Sequence, residues 1–144
     1  MVDIVIGNRF CDDRGYLSFI NDLDLSKYKR FYTVENHKCG FIRAWHGHKE
    51  ESKAVICLKG AALISLVPLD TPQSEKNAPF SVTLTGNSPK AVIIPAGYYN
   101  GAMNLTEDCM LMYMSDKSLG ESHGDDYRQP WDYFGKEVWE VIYR

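Results

Sequence analysis

Turn-forming residues interrupt this chain about every eight to twelve residues, and the stretches between them are rich in β-branched and aromatic side chains. The β-rich runs are Tyr16–Ile20, Arg30–Val34, Phe41–His46, Ala54–Leu58, Ala61–Leu69, Ser81–Leu84, Ala91–Ile94 and Met110–Met114. Between them lie Asp13-Arg14-Gly15, Lys59-Gly60, Gly86–Pro89 and Pro95-Ala96-Gly97. Runs this short leave no room for helices of ordinary length, so an antiparallel sandwich or barrel is expected. The two runs flanking Lys59-Gly60 are expected to form a hairpin. The polar stretch Asp70–Ala78 reads as a surface loop. Helical periodicity supports at most single turns, at Asp22–Tyr28, with Asp or Ser as cap, and at Lys136–Val141.

A chain of 144 residues holds one domain, 1–144, with enough material for a real core. About eight antiparallel strands in so small a domain fit an all-β double-sheet jelly roll. At 44% hydrophobic residues, wholesale disorder is excluded. The net charge of −3 comes without a basic block, which argues against nucleic-acid binding. Any phosphate must instead be met by individually placed Arg or Lys. No apolar run is long enough for a signal peptide or a membrane span, so a cytoplasmic protein with no membrane partner is expected. Cys11, Cys39, Cys57 and Cys109 form no C-x-x-C pair and are expected to be reduced and mostly buried.

The densest chemistry is Arg43-Ala-Trp-His46-Gly-His48-Lys49. In a strand, residues two apart share a face, so His46 and His48 point together and Arg43 falls on the opposite alternation. Such a pair can hold a metal, act as a general base, or sit satisfied in a core. Tyr98 and Tyr99 beside Asn100 can stack on a base or sugar, or equally fill a core.

Gly40, His46-Gly47-His48 and Gly60 resemble the first motif of the cupins, and Pro95-Ala-Gly97 to Asn100 resembles the second. In metal-binding cupins a carboxylate follows the second His by four or five residues, and a later His completes the site. Here Ser52 and Lys53 stand at the first place and Asn100 at the second. An ammonium has no lone pair and repels a divalent ion. The resemblance therefore implies a cupin scaffold with no metal and no other cofactor, whose cavity suits proton abstraction beside a carbonyl.

Within the cupins the chain resembles the deoxysugar epimerase and ketoisomerase group, from about Phe10 to Trp139. Asp12-Asp13-Arg14-Gly15 is similar to the epimerase D-x-R-G turn, and Ile42-Arg43-Ala44-Trp45-His46 to its R-G-L-H strand. That resemblance implies His46 as base, Lys53 as the cation near an enolate and Tyr113 as acid. It also implies Asp132, seven residues before Trp139, as the carboxylate that orients the base. Arg14 and Arg43 would hold a diphosphate, with Asn100 and Tyr98 lining the substrate site. His46-Gly-His48-Lys49 and Lys29-Arg30-Phe31-Tyr32 are more similar to the ketoisomerases, in which both histidines shuttle protons, making His48 catalytic as well. The expected activity is epimerisation of a nucleotide-linked 4-keto-sugar by a homodimer. The alternatives are a 3,4-ketoisomerase and, in a different class, a non-catalytic sugar-binding cupin module.

Overall fold

The computed structural model describes residues 2–75 and 78–144. Its strands are β1 (Asp3–Ile6), β2 (Asn8–Asp12), β3 (Gly15–Phe19), β4 (Arg30–Val34), β5 (Ile42–His48), β6 (Lys53–Lys59), β7 (Ala61–Pro68), β8 (Phe80–Thr85), β9 (Lys90–Ile94), β10 (Tyr98–Asn104), β11 (Met110–Ser115) and β12 (Tyr127–Arg128). One sheet has the order β1-β9-β6-β11-β4 and the other β12-β5-β10-β7-β8, with every pairing antiparallel. This is the expected double-sheet jelly roll. β2 and β3 form a separate two-stranded ribbon. No helix among the described residues is long and apolar enough to cross a membrane. One 3-10 turn, Leu25–Lys27, is capped by the Asp24 side chain on the Ser26 N–H, and another spans Lys136–Trp139.

The expected hairpin at Lys59-Gly60 does not form. β6 pairs with β9 and β11, whereas β7 pairs with β10 and β8, so the chain changes sheets at Gly60. Gly60 has φ of 72°, and a Cβ there would lie 2.8 Å from the Cys109 Cα and still closer to the Thr106 hydroxyl. The glycine serves a corner, where a left-handed residue must also pass close to another loop. Asp70–Glu75 and Ala78 form the expected surface connection, and residues 76 and 77 of that stretch lie outside the described residues.

Alternate residues of both sheets fill the interior. Val55 and Cys57 of β6, Ile64 and Leu66 of β7, Val92 and Ile94 of β9, Ala102 of β10 and Leu111 of β11 make its apolar floor. A second apolar cluster lies behind β5 and β10, on the face turned away from that interior. There Trp45, Tyr99 and Met103 pack against Phe134 and Trp139 of the C-terminal segment. The Trp45 and Trp139 indoles both donate to the Trp131 carbonyl, at 3.1 and 3.0 Å. Gly101 permits this packing, because a Cβ there would meet the Trp139 ring at 2.9 Å.

All four cysteines are free; Cys57 and Cys109 are buried, whereas Cys11 and Cys39 are exposed. Burial pushes the Cys57 thiol up to about 12, so it stays protonated and behaves as a small core residue.

Candidate active site

The histidine strand is shaped by an irregularity in its pairing. Asn100 lies opposite His46, yet Ala102, two residues on, lies opposite Arg43, three residues back. β5 therefore carries one extra residue, a bulge that re-aims the side chain beyond it. The bulge puts Arg43 on the same face as His46 and His48, correcting the alternation expected from spacing. Arg43 remains exposed, with its Nε donating to Asn36 Oδ1 at 2.7 Å.

His46 is half-buried between Asn100 and Arg128, its cross-strand partners on β10 and β12. The Asn100 amide donates to the His46 carbonyl at 3.1 Å, which fixes the strand rather than the ring. Burial holds the imidazole below its ordinary pKa of 6.5, and the Arg128 and Lys53 cations depress it further against the opposing pull of Asp126. A neutral ring at pH 7 keeps a lone pair, the first requirement of a general base.

His48 sits one step along the same face, with Nδ1 against the Asp125 carbonyl. A carbonyl can only accept, so Nδ1 carries the hydrogen and Nε2 the lone pair. The Asp125 carboxylate also accepts the Lys49, Glu50 and Glu51 N–H groups at 2.7, 3.0 and 3.0 Å. Burial by itself would raise that carboxyl, but the three N–H donors outweigh it and hold the group below its ordinary value.

The facing sheet supplies Lys53, Tyr32 and Tyr113. Lys53 is buried, and its Nζ donates to the Tyr32 hydroxyl at 2.9 Å. The Tyr32 and Tyr113 rings stack with centroids 5.2 Å apart. Burial raises the Tyr113 phenol well above its ordinary pKa, with Tyr32 adding to the effect, so it stays a protonated donor. Beneath them lies Glu51, 2% exposed, which accepts from Ser115 Oγ at 2.7 Å and from Arg30 Nη2 at 3.3 Å. Lys53 Nζ is 3.7 Å from the same carboxylate.

The structure thus brings His46, His48, Lys53, Tyr113, Asn100, Tyr98 and Arg43 to one interior. Tyr98 packs on the apolar core at the inner end of β10. Asp132 is not brought there: its side chain is exposed, and it forms no ion pair with His46. The reason is packing. The segment carrying it lies behind β5, where Phe134 and Trp139 take the buried positions, whereas the histidines face the other way. Arg14 is also apart, exposed on the β2–β3 ribbon and paired with Asp12 at 2.5 Å.

Asp125 and Arg128 escaped the sequence reading, and Arg30, Tyr32 and Glu51 are given no role by it. Glu51 stands three residues after His48, one short of the register of a metal-ligating carboxylate, so spacing alone gives it no role. Asp125 and Arg128 come from a segment that nothing local ties to β5. Among the described residues, no group of three His, Cys, Asp or Glu side chains is placed to hold a metal ion.

A jelly roll with a histidine pair on one wall and a lysine–tyrosine pair on the other is a cupin-type domain. The chain belongs to the family described as FdtA: WxcM-like, C-terminal, whose model matches residues 2–139. No curated protein sequence matches it. Among solved structures it is similar to QdtA, a sugar 3,4-ketoisomerase from Thermoanaerobacterium thermosaccharolyticum in complex with TDP. That match has 23% identity and a TM-score of 0.69, covering 95% of this chain and 93% of the other. The 3,4-ketoisomerase from Helicobacter canadensis matches at 20% identity and TM-score 0.69, covering 95% and 96%. The dTDP-4-dehydrorhamnose 3,5-epimerase from Bacillus anthracis matches at 18% identity and TM-score 0.75, covering 95% and 82%. At these identities the similarity establishes the fold.

Proposed function

We propose that the chain is an isomerase that moves a proton beside the C4 carbonyl of a nucleotide-diphosphate-linked 4-keto-sugar, and that its reaction is epimerisation. The observation that carries this reading is the placement of a neutral histidine and a protonated phenol on opposing sheets of one interior. His46 takes the proton alpha to the ketone, because only there can the carbonyl spread the resulting charge. Lys53, the cation nearest the tyrosine pair, stabilises the enolate oxygen. Tyr113 returns a proton from the other side of the ring, inverting the carbon. His48 donates a hydrogen bond to the enolate oxygen when protonated. Tyr98 and Asn100 line the sugar site, and Arg43 at its exposed edge meets the diphosphate. The enzyme would need no metal or organic cofactor, since a ketone supplies its own electron sink.

A second reading, 3,4-ketoisomerisation, is favoured by His46 and His48 sharing one face. There the enediol is protonated at C4, and His48, on the same face as His46, is the donor. The lengths agree with it, because this chain spans nearly all of the two ketoisomerases and less of the epimerase. Turnover of dTDP-4-keto-6-deoxyglucose in deuterated water, followed by NMR, separates the two. Deuterium at an inverted C3 or C5 with the ketone still at C4 is expected. A 3-keto product would replace epimerisation with the second reading, and binding without exchange would leave only a sugar-binding module.

The ribbon supports a homodimer. It pairs with neither sheet and exposes Phe10, Tyr16 and Leu17, so a second copy that covers those side chains would also bring Arg14 to the neighbouring diphosphate. Light scattering is expected to give twice the monomer mass.

A further inference from the structure

Glu51 has no part in the chemistry described so far, yet four strands converge on it. One oxygen, Oε2, is fully engaged by Ser115 of β11, Arg30 of β4 and Lys53 of β6. The other, Oε1, is buried and has no hydrogen-bond partner. Leaving a buried carboxylate oxygen unmatched is costly, and such groups persist where they have a task. Oε1 lies 3.9 Å from His48 Nδ1, too long for a hydrogen bond but close for a charge interaction away from water.

We propose that Glu51 is a positioning residue that acts through His48, its Oε1 stabilising the imidazolium that forms when His48 Nε2 takes up a proton. The inference rests on the proton-transfer reading of the cavity. Nδ1 is already committed to the Asp125 carbonyl, so the proton in transit enters and leaves at Nε2. The resulting Nε2–H donates to the enolate oxygen, and nothing is oxidised. The surroundings make such a charge necessary. The charged groups about the ring are Arg30, Lys53, His46 and the Asp125 carboxylate, and the last is occupied by three backbone N–H groups. Without Glu51 a cationic His48 would keep only the Asp125 carboxylate against the Arg30 and Lys53 cations that Glu51 now neutralises. The proposal also divides labour between the histidines. His46, depressed by burial and cations, rests neutral and is free to take the substrate's proton, and His48 is the ring equipped to carry charge.

The test compares wild type, Glu51→Gln, His48→Asn and the double variant. Glu51→Gln is expected to lower kcat about 10–100-fold with KM little changed. In the His48→Asn background the same substitution should cost less than about twofold, because the group it serves is gone. A raised KM with kcat intact, or losses that multiply in the double variant, would overturn the proposal. In the ligand-free protein, ¹⁵N spectra of the imidazoles at pH 6.5 should show less protonated His48 in Glu51→Gln than in wild type. Equal fractions would also overturn it. That arm needs no substrate, so a protein that turns over no keto-sugar refutes the proposed reaction and still decides the role of Glu51. If Glu51→Gln does not fold, Glu51→Asp keeps the charge but withdraws Oε1 from the ring. It should lose kcat in the same direction, and unchanged kcat there would count against the proposal.

Discussion

The two walls of the cavity are built by different means. On the β5 wall, His46, His48 and Arg43 come from one short strand, aimed by a bulge and fixed from behind by the Trp45–Phe134–Trp139 cluster. On the facing wall, Arg30, Tyr32, Glu51, Lys53, Tyr113 and Ser115 come from three strands and a loop, held by one buried charge network. The first wall resists disturbance because apolar packing is insensitive to any single charge. The second is vulnerable, because removing one ion leaves its partners buried and unpaired. In the proposed reaction this design separates the base from the groups that stabilise and reprotonate its product. Each wall can then be probed alone.

The largest effect is expected from His46→Asn, which should reduce kcat about 10²–10⁴-fold while circular dichroism and melting temperature hold. Retained turnover would break the assignment of the base to the β5 wall. The wild-type profile sharpens the same point. Since His46 titrates below the ordinary histidine value, its neutral form persists to lower pH, and the acidic limb of kcat/KM should lie below 6.5. A limb at or above that value would mean that the base is another group.

Lys53→Met addresses the facing wall and should lower kcat by about 10²–10³-fold, the usual loss on removing one donor to a developing oxyanion. Loss confined to KM would make Lys53 a binding cation instead. Asp125→Ala strikes the turn that joins the walls. It removes the acceptor of three N–H groups and should cost about 1–3 kcal/mol in urea unfolding. Because the Asp125 carboxyl is depressed in the folded state, its contribution is present above the unfolded value near 3.8 and fades as pH falls below it. The wild-type and Asp125→Ala stabilities should therefore converge in acid. The smallest effect belongs to Arg14→Ala, on neither wall. Monomer stability should be unchanged, since exposed ion pairs contribute little. Nucleotide-diphosphate affinity should weaken in a salt-dependent way, and unchanged affinity would remove Arg14 from the site.

Most strands were legible from the sequence. Arg30–Val34 was read to the residue, and β6, β7, β8, β9 and β11 lay within a residue or two of their observed ends, because β-branched runs between turn residues carry a period of two. β1, β2, β10 and β12 were missed. β10 reads Tyr-Tyr-Asn-Gly-Ala-Met-Asn, with a glycine and two asparagines that signal a turn in isolation. It is a strand because β5 and β7 supply ladders on both sides.

The sequence by itself determined the all-β class and the histidine pair on one face, because these depend on identity and nearest spacing. Only the tertiary structure decided that Gly60 turns a corner instead of a hairpin, that a bulge brings Arg43 to the histidine face, and that Asp132 lies behind the strand. Glu51 shows the reason most clearly. Its neighbours in the chain are polar, and what buries it is the convergence of β4, β6 and β11, an arrangement that depends on contacts as many as 64 residues apart.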